Sequence, residues 1–208
     1  MKTMFTNGMI VDGSGDKPYK GCLVIEGDKI LFVGEKTEIK ADRVIDVNGA
    51  MICPGLIDAH SHNDFFYDRE DAEKYYRPFI EQGITTSIAG QCGSSPAPIS
   101  RDADPETAKQ VASFGKTTDV YRTFGTFVDI AKMVPTGSNT ALLVGHSALR
   151  KAAMGMDNRE PTAAELEKMK ALLREGMDHG ALGVSFGLIY TPGCYANTDE
   201  LIEIAKVV

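Results

Sequence analysis

The rhythm of apolar and polar residues changes near residue 53. Before it, short apolar runs are cut by turn residues. Gly8-Met9-Ile10-Val11 leads into Asp12-Gly13-Ser14-Gly15, Cys22-Leu23-Val24-Ile25 leads into Gly27-Asp28, and Lys29-Ile30-Leu31-Phe32-Val33-Gly34 comes next. Runs of this length bounded by glycine and aspartate read as strands. The Gly-Asp step predicts a hairpin. So does Asn48-Gly49, which separates Arg43-Val44-Ile45-Asp46-Val47 from Ala50-Met51-Ile52-Cys53. Residues 1–52 are expected to form a small β domain, part of a β-sandwich.

Residues 53–208 alternate two patterns. Leu56–His60, Ile84–Ala89, Thr140–Gly145 and Ala181–Ser185 are apolar runs of strand length. Asp71–Gln82, Val120–Met133, Thr162–His179 and Asp199–Val208 have helical spacing, and a long loop fills Gly90 to about Thr118. Thr162-Ala163-Ala164-Glu165 is a capping box, in which threonine caps free amides and glutamate reaches back to the cap. Strict alternation implies parallel strands with right-handed crossovers. Four such units make half of an eight-stranded barrel or a small open sheet. A complete barrel takes about 250 residues, more than remain after the β region. The last helical pattern runs to Val207-Val208 without a glycine cap, which reads as a truncation.

Composition narrows the function classes. The formal net charge is −7, with acidic and basic residues interleaved and no basic stripe, so nucleic acid and anionic membranes are poor partners. The N-terminus holds no apolar stretch of signal-peptide or membrane-spanning length. Cys22, Cys53, Cys92 and Cys194 lie far apart and form no CxxC pair. That spacing predicts free thiols, or one metal-bound thiolate, in a cytoplasmic protein.

The sharpest chemical signal is Pro54-Gly55-Leu56-Ile57-Asp58-Ala59-His60-Ser61-His62. Residues two apart on a strand point the same way, so His60 and His62 present their imidazoles together. They do so at the C-terminal end of a strand, where parallel α/β barrels build active sites. Imidazole suits zinc and similar divalent ions. Two solvated histidines are the plain alternative. Against it, the pair ends an apolar strand, comes after a Pro-Gly turn and comprises half of the chain's four histidines.

Pro-Gly-Leu-Ile-Asp-Ala-His-x-His after a small β domain resembles the entry signature of the amidohydrolase superfamily. Three further stretches resemble its N-acyl-D-amino-acid deacylases (D-aminoacylases). Gly90-Gln91-Cys92-Gly93 with Ser95-Pro96-Ala97-Pro98 is similar to their cysteine loop. Val144-Gly145-His146-Ser147-Ala148-Leu149-Arg150 is similar to their third barrel strand, and Gly180–Gly193 to the fourth strand and its loop. The resemblance implies an α/β fold, with the β domain of residues 1–52 preceding the first four units of a metal-dependent TIM (β/α)8 barrel over 53–208.

For the site, the resemblance implies zinc, one or two ions per complete site, held by His60, His62 and Cys92. The cysteine stands in for the bridging lysine of other superfamily members, and Ser185-Phe186 rather than lysine ends the fourth strand here. A buried structural thiol is the alternative reading of Cys92. Tyr190 is an expected substrate contact or lid residue. His146 and Asp64 are candidates for supporting the ligands. His179, at a helix end before Gly180, complements the helix dipole. The implied reaction is hydrolysis of the linear amide of an N-acyl-D-amino acid, with the metal supplying hydroxide and an aspartate shuttling the proton. That aspartate, two more histidine ligands and the substrate-carboxylate contacts are expected beyond Val208, in the missing barrel half. These 208 residues alone are therefore expected to be inactive, and their oligomeric state is open. A cyclic amidase, dihydroorotase or deaminase would share the histidine pair, and a non-catalytic scaffold would share the fold.

Overall fold

The computed structural model describes residues 1–67, 71–99 and 121–208. The chain divides into two units, Met1–Gly55 and Leu56–Val208.

The first unit is one mixed sheet. Strands β1 (Lys2–Ile10), β2 (Tyr19–Glu26), β3 (Lys29–Gly34) and β4 (Arg43–Asp46) lie in the order β3-β2-β1-β4, and β5 (Met51–Ile52) also pairs with β1. The Gly27-Asp28 turn joins β2 to β3 antiparallel, as its sequence predicts. The Asn48-Gly49 hairpin does not form. Both β4 and β5 run parallel to β1 instead of pairing with each other. The cause lies in β1, whose register breaks between Phe5 and Gly8 and whose Asn7 is left-handed at φ 57°. The Asn48-Gly49 turn tracks that bulge as a matching kink. Gly49 N donates to Asn7 O at 2.7 Å, and Asp46 Oδ1 accepts from Asn48 N at 2.7 Å and Asn7 Nδ2 at 3.2 Å.

In the second unit β6 (Leu56–Asp58), β7 (Ile84–Ala89), β8 (Asn139–Gly145) and β9 (Gly183–Ser185) form a parallel sheet in chain order. Helices α1 (Ala72–Glu81), α2 (Phe124–Met133), α3 (His146–Met154), α4 (Ala163–Asp178) and α5 (Thr198–Ala205) alternate with and follow its strands. Tyr76, Phe124, Phe127, Val144, Leu149, Met169, Leu173 and Ile204 are buried together in its core. Each such burial contributes about 1.5–3 kcal/mol before entropy is charged against it. The capping box is present at α4, with Glu165 N donating to Thr162 Oγ1 at 3.3 Å and Thr162 N to Glu165 Oε2 at 2.8 Å.

Four further expectations need correction. Strand β6 stops at Asp58, so His60 and His62 lie past the strand and not on it. Helix α3, which no periodicity announced, starts directly at the end of β8. Its residues bury on several faces, His146 to Arg150 all being buried, so no amphipathic stripe marks it. Helix α5 ends at Ala205, where Val207 N and Val208 N fall back to the carbonyls of Ile204 and Ala205 in tighter turns. Helix α2 begins at Phe124, capped by Thr123; most of the loop expected from Gly90 to Thr118, and Val120, lie outside the described residues.

Candidate metal centre

The site assembles from two chain segments that leave the ends of neighbouring strands. After β6, Asp58 Oδ1 accepts from His60 N at 3.1 Å, closing a turn that ends the strand. Ser61 N still donates to Ile88 O of β7 at 3.0 Å, so the turn stays tied to the sheet. Asn63, buried just past His62, donates from Nδ2 to Ser87 Oγ at 3.1 Å, and its carbonyl accepts from Tyr76 Oη at 2.5 Å. His60 and His62 are thereby fixed between two anchored points while both side chains stay exposed, their ring centroids 5.7 Å apart.

After β7, Gly90-Gln91-Cys92-Gly93 turns sharply. Gly90 has φ +80°, and a Cβ there would collide with Leu143 O on β8, so only glycine passes this point. Cys92 is itself left-handed at φ 56°, an uncommon state for a non-glycine residue and one that clusters at functional sites. Gln91 Nε2 donates to Ala59 O at 2.9 Å, which ties this turn to the one carrying His60. Cys92 Sγ lies 3.3 Å from His60 Nε2.

His60, His62 and Cys92 each offer one ligand atom, and all three atoms lie within 4.8 Å of one another. Around a tetrahedral zinc, with Zn–N of 2.0–2.1 Å and Zn–S of 2.3 Å, neighbouring donors sit about 3.4–3.6 Å apart. The 3.3 Å between Cys92 Sγ and His60 Nε2 is of that size, and with His62 inside the 4.8 Å limit the donor types and their closeness fit a divalent ion of this kind. Burial, and after it the charge of neighbouring His60, lowers the His62 pKa below its ordinary 6.5. That favours the neutral imidazole that a metal needs.

The other candidates fall elsewhere. Asp64 is buried in a short 3-10 turn, and burial, outweighing backbone hydrogen bonds from Gly90 and from its own amide, raises its pKa to about 7. His146 is buried at the start of α3, with Nε2 2.8 Å from Glu200 Oε1. Arg150 donates to the other Glu200 oxygen at 2.5 Å and to Arg159 O at 2.8 Å. His146 is therefore committed to a buried ion-pair cluster and does not join the exposed histidines. Tyr190 is half exposed on the loop after β9. His179 caps the C-terminus of α4, its Nδ1 2.8 Å from Glu175 O. Asp58, Gln91 and Ser185 escaped the sequence reading as site residues. Asp58 and Gln91 sit inside the motifs that drew attention, but a carboxylate that closes a turn looks the same in sequence as one that binds.

A profile of the amidohydrolase family matches residues 43–206. The chain is 34% identical over 203 residues to a D-aminoacylase of Alcaligenes xylosoxydans xylosoxydans, covering 98% of this chain and 41% of that protein. It is 36% identical to an N-acyl-D-aspartate deacylase of the same organism, covering 95% and 39%. In three dimensions it superposes on the N-acyl-D-glutamate deacylase of Bordetella bronchiseptica with TM-score 0.85 at 34% identity, covering 99% of this chain and 42% of that one. That enzyme was solved with zinc and a phosphonate that mimics the tetrahedral intermediate. The fold is thus a small mixed-sheet domain preceding the first half of a TIM (β/α)8 barrel, and the chain spans about two fifths of the length of the relatives it matches. With its parallel β/α units and the matched span of residues 43–206, the chain belongs to the amidohydrolase family.

Proposed function

We propose that these residues form the metal-holding part of a zinc-dependent amidohydrolase that hydrolyses N-acyl-D-amino acids to a carboxylic acid and a D-amino acid. The observation that carries this reading is the convergence of His60, His62 and Cys92, three donors of types that zinc accepts, at the C-terminal end of a parallel barrel sheet. The two histidines and the thiolate hold the ion, and Gln91 keeps the thiolate's turn against that of His60. Bound there, zinc supplies an acidified water and polarises the amide carbonyl. Tyr190, on the loop after β9, contacts the substrate. An aspartate from a later segment moves the proton from water to the leaving amine, and further histidines complete the ligand set. Residues 1–208 alone are inactive on this account.

The substrate class rests on the deacylases that the chain resembles across nearly its whole length. Cys22, Cys53, Cys92 and Cys194 are all free thiols, the pattern of a reducing compartment, which supports a cytoplasmic location. Among the described residues no helix is long and apolar enough to cross a membrane. The test is an assay of the complete protein on matched N-acyl-D- and N-acyl-L-amino acids, before and after chelation and with zinc restored. Release of D-amino acid that falls on chelation and returns with zinc is expected. Equal turnover of the L series, or activity indifferent to chelation, would overturn the reading.

A further inference from the structure

We infer that Ser185, at the end of β9, is a positioning residue that holds the turn presenting Cys92. The inference rests on the proposed metal site, because it assigns the brace that keeps one of its three ligands in place.

The geometry centres on one hydroxyl. Ser185 Oγ accepts from Gly93 N at 3.0 Å and donates to Gly90 O, so a single side chain bonds both ends of Gly90-Gln91-Cys92-Gly93. A serine hydroxyl has one proton to give and lone pairs to receive, so it satisfies both partners at once. Ser185 is buried at 7% exposure, where water competes poorly for either bond. It comes from β9, two strands away from the β7 end where the turn begins, and it pairs with Gly145 of β8.

The turn needs such a brace. Gly90, Cys92 and Gly93 all have positive φ, and at Cys92 that conformation costs free energy which the surroundings must offset. The neighbourhood is shaped for it. Ser147 N donates to Gly93 O at 2.8 Å, and Gly145 N donates to Ser95 Oγ at 2.9 Å. The backbone of Gly187, two residues after Ser185, approaches so closely that a Cβ there would strike Cys92 O. Among the described residues, only the Ser185 contact spans the cysteine from both sides. Without the hydroxyl, Gly90 O and Gly93 N lose their partner together, and the Cys92 turn is free to relax from its left-handed state.

The test uses the complete protein with Ser185→Ala, Ser185→Thr and, as a control for general destabilisation, Thr162→Ala at the N-cap of α4. In metal-free protein, iodoacetamide alkylation is tracked peptide by peptide, with exposed Cys53 and Cys194 as internal references. Cobalt(II) is then titrated while the sulfur-to-cobalt charge-transfer absorption is recorded. Ser185→Ala is expected to speed Cys92 alkylation several-fold without moving Cys53 or Cys194, and to weaken cobalt binding about 10- to 100-fold. Ser185→Thr, which keeps the hydroxyl, restores both, and Thr162→Ala changes neither. Should Ser185→Ala not fold, Ser185→Cys keeps the size with a much weaker hydrogen-bonding group and carries the same comparison.

Wild-type Cys92 reactivity and cobalt affinity in Ser185→Ala would overturn the inference. So would a Ser185→Thr protein that behaves like the alanine variant, since packing alone would then explain the effect. Faster alkylation in Ser185→Ala with no sulfur-to-cobalt band even in the wild type would support the brace and sink the metal reading. A normal band in both proteins, with alkylation unchanged, would do the reverse.

Discussion

His60 and His146 stand at equivalent places, just past the C-terminal ends of parallel strands β6 and β8, yet they meet opposite fates. His60 is exposed, with Nε2 3.3 Å from Cys92 Sγ and its ring 5.7 Å from that of His62. His146 is fully buried, bonded to Glu200, with Arg150 on the same carboxylate and Phe186 5.2 Å away ring to ring. The difference comes from the path the chain takes after each strand. Past β6 it turns back over Asp58 and leaves its histidines outside, whereas past β8 it enters α3 at once and draws His146 into the core. The same position past a strand thus leaves one imidazole at the surface beside a thiol and commits the other to a buried ion pair.

The contrast can be broken by substitution. The largest effect is expected at Glu200→Ala, which leaves the buried Arg150 guanidinium without its counter-charge. Losing one partner of such a pair costs about 3–5 kcal/mol, read by urea unfolding, while the protein that remains folded keeps its wild-type zinc content. Acid should erode the same cluster. Burial alone would raise the Glu200 pKa, but hydrogen bonds from His146 and Arg150 outweigh it and hold the group below its ordinary 4.5. A carboxylate with a lowered folded-state pKa contributes stability above the unfolded value, and that stability is lost as pH falls through the folded one. Unfolding measured against pH should therefore show stability declining below about 4.5, with that component missing in Glu200→Ala.

Gly187→Ala attacks the binding region instead. Its methyl would strike Cys92 O, and relieving such overpacking costs about 1–3 kcal/mol. Zinc content should fall together with stability, and an alanine variant with full zinc would contradict the close approach. Smallest of all, Thr162→Ala removes the cap that Thr162 Oγ1 provides to Glu165 N, a loss of about 1 kcal/mol by thermal unfolding with zinc untouched.

Much of this was legible in the amino-acid sequence because the signals are local. Alternating apolar runs and helical spacing mark the parallel sheet of the second unit, and Thr162 with Glu165 announces α4 within a single helical turn. The histidine pair and Cys92 were visible as chemistry-bearing residues in distinctive surroundings. The features that escaped depend on partners far away in the chain. Asn48-Gly49 has the dihedral preferences of a hairpin, but the bulge at Asn7 recruits both flanking strands to β1. Helix α3 is buried around much of its circumference, so no stripe betrays it. Ser185 bonds residues more than ninety positions earlier, and nothing in its own neighbourhood says so. His146 looks like a candidate for supporting the ligands, and nothing near it in sequence shows that Glu200, on a helix 54 residues later, holds its ring.

The most direct test is zinc per chain in the purified complete protein, measured by elemental analysis beside His60→Ala, Cys92→Ala and Thr162→Ala. Bound zinc in the wild type and in Thr162→Ala, lost or greatly weakened in both ligand variants while they remain folded, is the predicted result. A folded wild type that takes up no zinc, or a Cys92→Ala protein that holds it as tightly as the wild type, would contradict the account.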